Sequence, residues 1–294
     1  MNIKKFAAID IGSNAMRLLI AMVVEDGGNV DFKKVSMVRL PIRLGQEAFT
    51  SHELAQKTVD KFTKGMEAFK ILMDIHEVED YMAVATSAMR EANNGTGIVK
   101  KINEDTGIDI QIINGKVEAE IIFKAHFKNS AYADCNYVYV DVGGGSTEIT
   151  ILSGQQIVAS KSFKIGTIRL MNDMVSKESW KEMKDWVKEQ TQDLEHVEMI
   201  GSGGNINKIY KLMNVEYPQP VLYHEFKAIR QTLAKMSFNQ RIREFKLNPD
   251  RADVIVPASE IYYSVMKWAD SSILHVPRIG LSDGIIQLLH EKSL

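Results

Sequence analysis

The sequence predicts an α/β protein of two domains, each a mixed sheet flanked by helices, with a cleft between them. Three observations carry that prediction. Two strand–Asp–turn–strand segments carry their aspartates, Asp10 and Asp141, 131 residues apart: Phe6–Asn14 runs on into Met16–Ile20, and Val138–Glu148 runs on into Ile149–Ile151. After each, the strand meander gives way to helix and strand in alternation, the order of a helix-covered sheet. A chain of 294 residues is also long for one hydrophobic core and natural for two.

The elements follow in order. Residues 5–40 read as three strands, the second and third joined at Asp26-Gly27-Gly28-Asn29 by a turn of the composition hairpins favour. Leu54 to His76 is helical, with Leu54, Val59, Phe62, Met66, Phe69 and Met73 on or near one stripe. Tyr81–Ala85 is a short buried strand leading into Thr86-Ser87-Ala88-Met89-Arg90. A helix near 96–106, a strand at Ile108–Ile113 and a helix from about Lys116 to Phe127 complete the first half. The stretch Lys128 to Asn136 is small and polar and marks the boundary, giving domains 1–127 and 128–294, with the last helix available to pack back on the first domain. Strands at 137–142, 147–153 and 156–164 restart the pattern. The helix at 177–194 carries Trp180, Met183 and Val187 on one face, which is core packing. Val197–Ile200 is a strand ending in Gly201-Ser202-Gly203-Gly204-Asn205, and the remainder is mainly helical apart from a short strand near Ile273–Val276.

Composition narrows the class. An apolar share of 45% and a charged share of 25% describe an ordinary soluble domain. No run approaches the ~20 apolar residues that cross a bilayer, and the first apolar run is broken by Asp10, so it reads as a strand rather than a signal peptide. The expected location is the cytoplasm, with no membrane partner. The single Cys135 excludes an intrachain disulfide and a cysteine zinc site. A net charge of −2 argues against nucleic acid, while leaving a polyanionic substrate open to a local cluster of cations.

The two turns carry the chemistry. Glycines let backbone N–H groups approach an anion closely, and Ser13, Asn14, Ser146 and Thr147 add side-chain donors. Acids beside such loops would repel phosphate unless a cation lies between them. Asp10, Asp141 and Glu148 therefore point to a hard ion held by oxygens, Mg²⁺ with Mn²⁺ as the alternative. Gly201–Gly204, after a strand and before a helix, is a third candidate cradle, although it lacks the spacing of a dinucleotide fingerprint. Glu118, in the first turn of a helix, is a candidate general base. Arg90 and Arg43 are candidate phosphate contacts, and Lys161, Lys164 and Arg169 flank Gly166-Thr167 as a candidate basic track.

These residues together resemble the Ppx/GppA family of exopolyphosphatases and guanosine pentaphosphate phosphohydrolases, within the actin-like, ribonuclease H-like superfold. Asp10-Ile11-Gly12-Ser13-Asn14 resembles the first phosphate loop of that family, and Asp141 through Glu148 the second. Ala85-Thr86-Ser87-Ala88-Met89-Arg90-Glu91-Ala92, Ile113-Asn114-Gly115-Lys116-Val117-Glu118-Ala119 and Gly280-Leu281-Ser282-Asp283-Gly284 resemble three further motifs. The resemblance implies Glu118 as catalytic base, Asp141 and Glu148 on Mg²⁺ and the attacking water, and Arg90 on phosphate. It implies that Gly12, Ser13, Asn14, Gly143, Gly144, Gly145, Ser146 and Thr147, with Gly203 and Gly204, hold phosphoryl groups. It also implies a homodimer. Three positions depart from the pattern: Val117 stands for Glu, Asn114 for Ser and Ser282 for Arg. The sequence ends where longer members append a helical HD-type domain, a difference that favours shorter chains or a nucleotide. The expected activity is release of terminal orthophosphate from polyphosphate or pppGpp. The alternatives are an ATP-dependent phosphotransferase of the same superfold and a non-catalytic polyphosphate or alarmone sensor.

Overall fold

A computed structural model describes residues 1–127, 135–154 and 156–293. The chain forms two compact units, one of Met1–His126 with Gly280–Leu294 and one of Phe127–Ile279. Most of the expected boundary, at 128–134, lies outside the described residues.

The first unit opens with β1 (Asn2–Ile11), β2 (Met16–Asp26) and β3 (Asn29–Leu40), an antiparallel meander. The β2–β3 turn places Gly27 at φ 57 and Gly28 at φ 88, the left-handed region that a tight hairpin of matching twist requires. Then come α1 (Leu44–Thr50), α2 (Gln56–Ile75), β4 (Asp80–Ala85), α3 (Ser87–Glu91), α4 (Gly95–Thr106), β5 (Ile110–Ile112) and α5 (Gly115–Phe127). The sheet order is β3-β2-β1-β4-β5, with β1, β4 and β5 parallel. Helix α2 buries Val59, Phe62, Met66, Phe69 and Met73 along one stripe.

The second unit repeats the plan with β6 (Asn136–Val142), β7 (Thr147–Ser153), β8 (Gln156–Phe163), α6 (Thr167–Met171), α7 (Lys177–Thr191), β9 (Val197–Ser202) and α8 (Gly204–Leu212). It continues through β10 (Val221–Leu222), α9 (Tyr223–Lys235), α10 (Phe238–Phe245), α11 (Pro249–Ala252), α12 (Ile255–Trp268) and β11 (Ile273–His275). Its sheet order is β10-β11-β9-β6-β7-β8, with β6, β9 and β11 parallel. The core of this unit packs Val138, Val140, Ile149 and Ile151 against Met183, Val187, Ile206, Ile261 and Val265. Each unit therefore has the mixed, helix-flanked sheet of the actin-like fold. The chain ends in α13 (Leu281–Lys292), which packs on β1, β2 and β4 of the first unit. No helix among the described residues is long and apolar enough to cross a membrane.

Candidate active site

Loops at the carboxyl ends of parallel strands are where open α/β sheets bind ligands. In the first unit, three parallel strands deliver predicted residues to that edge. β1 ends in the turn Gly12–Ala15, closed by Gly12 N–H donating to Ala15 O at 3.2 Å. β4, in register with β1 as Ile11 against Ala85, delivers Thr86 and Ser87. β5, with Ile112 against Ala85, delivers Asn114 and α5. Buried Ser13 and Ser87 share a hydrogen bond at 2.9 Å between their hydroxyls, tying the first loop to the β4 end. Arg90 is anchored, its Nη1 donating to Ile113 O at 2.7 Å. One donor of that guanidinium is thus spent on the turn that carries Glu118.

Glu118 lies half-buried in the first turn of α5. Asn114 caps this helix: its Oδ1 accepts from Val117 N–H at 3.0 Å, and its carbonyl accepts from Glu118 N–H at 3.0 Å. Asn and Ser are about equally good at that task, so Asn114 preserves the local geometry that Ser would supply.

Asp10 stands apart from the other predicted metal acids. It is buried, and Arg17, directly opposite it in the β1–β2 register, holds its Oδ2 at 2.7 Å. A carboxylate so neutralised offers a cation less than a pair of acids does.

The second unit supplies such a pair. The hairpin β6–β7 sets Asp141 opposite Glu148, and like charges directly opposite on a sheet are destabilising unless something compensates. Part of the compensation is visible: Glu148 Oε1 accepts from Ser146 Oγ at 2.7 Å and from Ser162 Oγ at 2.9 Å. Among the described residues no cluster of three or more His, Cys, Asp or Glu is arranged around a metal position. Mg²⁺ does not need one, because it binds through one or two carboxylates and completes its shell with water and phosphate oxygens. The donor chemistry of Asp141 and Glu148 fits that ion.

The turn between these acids is held from behind. Gly143 N–H donates to Ser146 O at 2.9 Å. Gly143 O then accepts from Thr167 N–H at 3.0 Å, Gly144 O from Ile168 N–H at 2.9 Å, and Gly145 O from Arg169 Nε at 2.8 Å. With three successive carbonyls committed to the start of α6, no acceptor among the described residues meets the N–H groups of Gly144, Gly145 and Ser146. Successive amides of this kind are the donor set from which an anion-binding nest is built. The basic track expected across Lys161, Lys164 and Arg169 is not formed. Arg169 is buried and braces the loop, Lys161 pairs with Glu182 at 2.9 Å, and Lys164 is exposed.

The third candidate cradle turns over Asp141. Gly203 sits at φ 103, and a Cβ there would lie 2.8 Å from Asp141 Oδ1. Gly204 begins α8, and its carbonyl accepts from Arg251 Nη1. Beneath lies Tyr262, whose hydroxyl is pushed well above the ordinary tyrosine range by burial first, then by the charges of Asp141 and Glu148, with Val142 N–H acting the other way. Sequence reasoning gave no role to Gly166, Thr167, Ile168 or Tyr262. A Cβ on Gly166 would lie 2.4 Å from Gly144 O, so only glycine lets α6 reach the loop, yet nothing in the local sequence distinguishes that glycine from one at a routine turn.

The sequence profile of the Ppx/GppA phosphatase family matches residues 21–292. A bifunctional 3-dehydroquinate synthase/phosphatase of Fusobacterium nucleatum subsp. nucleatum is 31% identical over 286 residues, covering 89% of this chain and 43% of that protein. Exopolyphosphatase 2 of Mycobacterium tuberculosis is 32% identical over 175 residues, covering 58% of this chain and 54% of that protein. The chain thus spans about half the length of these two curated relatives. Among solved structures, an exopolyphosphatase from Cytophaga hutchinsonii superposes with a TM-score of 0.86 at 21% identity, over 98% of both chains. That likeness concerns the fold alone.

Proposed function

Because the chain belongs to the Ppx/GppA phosphatase family, we propose that it is a Mg²⁺-dependent phosphoanhydride hydrolase that releases terminal orthophosphate from polyphosphate or pppGpp. One juxtaposition carries the proposal. The amide nest at Gly144–Ser146 and the acid pair Asp141–Glu148 flank a single turn, joined by the Ser146–Glu148 hydrogen bond of 2.7 Å. An anion site beside a cation site is what a metal-bound phosphate requires, since phosphate alone would be repelled by the acids and a metal alone would leave the amides unanswered.

The residues then take distinct roles. Asp141 and Glu148 would hold Mg²⁺, which offsets charge on the phosphate oxygens when bound. The N–H groups of Gly144, Gly145 and Ser146 grip the terminal phosphoryl group, in place before charge develops on it. Gly203 and Gly204 border this grip. In the first unit, Gly12, Ser13 and Asn14 form the other phosphate loop, and Arg90 contributes a fixed positive charge. Glu118 takes the proton from the attacking water, which turns a phosphate holder into a hydrolase.

The deciding experiment measures phosphate release with Mg²⁺ from short polyphosphate, long polyphosphate, pppGpp and ATP. Glu118→Gln is expected to lower kcat by about 10²–10⁴-fold, the usual contribution of a positioned base, with substrate binding kept. Near-normal turnover in that variant removes Glu118 from its role. Phosphate delivered to an acceptor instead of water would identify a phosphotransferase. Tight binding without release from any of the four would identify a sensor.

A further inference from the structure

Strands β6 and β9 pair in parallel up to Asp141 against Ser202, and there the ladder stops. At that last rung a side chain from another element joins the two strands. Tyr262 of α12, wholly buried, accepts a hydrogen bond from Val142 N–H at 3.3 Å and donates one to Ser202 O. A hydroxyl that accepts from an N–H of one strand and donates to a C=O of its neighbour ties the ends of both strands to α12. That tie falls where Asp141 leaves the sheet and where Gly203 turns over it. A Cβ on Gly203 would lie 2.8 Å from Asp141 Oδ1 and 3.6 Å from the Tyr262 hydroxyl. Carboxylate, glycine backbone and hydroxyl therefore share one small volume.

We propose that Tyr262 is a positioning residue, a hydroxyl tie between β6 and β9 that fixes Asp141, and with it the Asp141–Glu148 pair, in the arrangement that receives a divalent cation. The inference rests on the assignment of those two acids to Mg²⁺. Its physical basis is satisfaction of buried polar groups. Without the hydroxyl, Val142 N–H and Ser202 C=O each lose a buried hydrogen-bond partner, a loss proteins rarely leave uncompensated. The nearest compensation is a shift of the two strand ends, and Gly203 has little room for one beside Asp141 Oδ1.

The test is a calorimetric titration of the whole chain with Mg²⁺. Tyr262→Phe keeps the ring and removes the tie; it is expected to weaken Mg²⁺ binding by about 10–100-fold, the range seen when groups that orient metal ligands are lost. Phosphate release from polyphosphate should recover at saturating Mg²⁺, which general destabilisation would not produce. Tyr263→Phe is the matched control: it is the next residue of the same helix, and its hydroxyl bonds Tyr223 at 2.8 Å. That variant should bind Mg²⁺ as the unsubstituted chain does. Glu148→Gln separates the two levels of the argument. If it loses Mg²⁺ binding while Tyr262→Phe keeps normal affinity, the tie is overturned and the acid pair stands. If Glu148→Gln also binds normally, the metal assignment falls and the tie with it. Should Tyr262→Phe not fold, the backbone amide resonance of Val142 in the unsubstituted chain decides: it must shift saturably with Mg²⁺, and an unmoved resonance overturns the proposal.

Discussion

One register position separates the two hairpins chemically. Opposite its aspartate, the first carries Arg17 and the second Glu148. The first hairpin is thereby internally neutral, whereas the second keeps two acids on one face of the sheet. Arg17→Met should lower stability by about 1.5–3 kcal/mol, the usual range for a hydrogen bond to a charged group. Adding Asp10→Asn should restore part of that loss, because the buried charge goes with its partner. Urea unfolding midpoints of both variants test this, and equal midpoints for Arg17→Met and the unsubstituted chain would rule it out. Gly166→Ala is the second prediction at this scale. Its Cβ would meet Gly144 O at 2.4 Å, so the nest must shift, and KM for polyphosphate should rise more than kcat falls. The aspartates and the glycine run were legible in the sequence because each sits inside a compact local pattern. The partnership of Arg17 with Asp10 was not, since it depends on strand register, and neither was Arg169 as a brace, since a cation near a glycine loop looks the same whether it faces solvent or core.

At the scale of elements, α13 shows how a terminal helix is held. Lys34 of β3 pairs with Asp283 at 2.6 Å, and His290 meets Glu25 of β2 at 2.6 Å. Gly284 seats against α5, where a Cβ would lie 2.5 Å from Ile121 O, one turn beyond Glu118. Gly284→Ala should therefore cost about 1–3 kcal/mol through overpacking and lower kcat as α5 is displaced, detectable by thermal melting alongside phosphate release. The Glu25 carboxyl is held below the usual carboxylate range chiefly by its hydrogen bond with His290, then by that with Asn2. A carboxylate whose folded pKa is depressed contributes fully above its ordinary pKa, and the contribution is lost as pH falls through the lower, folded value. Hydrogen exchange in α13 should accordingly quicken in that acidic window, and Glu25→Gln should remove the pH dependence. The apolar stripe of α2 made that helix readable in advance. The allegiance of α13 was less so, because it is decided by partners some 250 residues away in the chain, at Lys34 and Glu25.

The whole molecule is a duplication with the chemistry placed unequally. Sheet order β3-β2-β1-β4-β5 in one unit matches β8-β7-β6-β9-β11 in the other. The correspondence extends to irregularities: the register shifts between Ile20 and Ala21 in β2 and between Ile151 and Leu152 in β7, positions 131 residues apart like Asp10 and Asp141. In each, the bulged residue of the partner strand is a valine, Val35 or Val158, skipped by the pairing. Yet the two units are not equivalent as pieces of chain. The second, Phe127–Ile279, is continuous, whereas the first is completed only by Gly280–Leu294. A continuous unit with its own buried core has what an independently folding domain needs. A fragment of residues 127–279 should therefore unfold cooperatively on its own, whereas a chain ending at Ile279 should leave the first unit destabilised, since α13 covers β1, β2 and β4. The fragment separates binding from catalysis as well. It contains Asp141, Glu148 and the Gly144–Ser146 nest but lacks Glu118 and Arg90. We expect it to bind Mg²⁺, to lose that binding with Glu148→Gln, and to release no phosphate from polyphosphate. Calorimetry and a phosphate-release assay on the same preparation decide it: a folded fragment that hydrolyses polyphosphate would show that the attacking water is activated within the second unit, without Glu118.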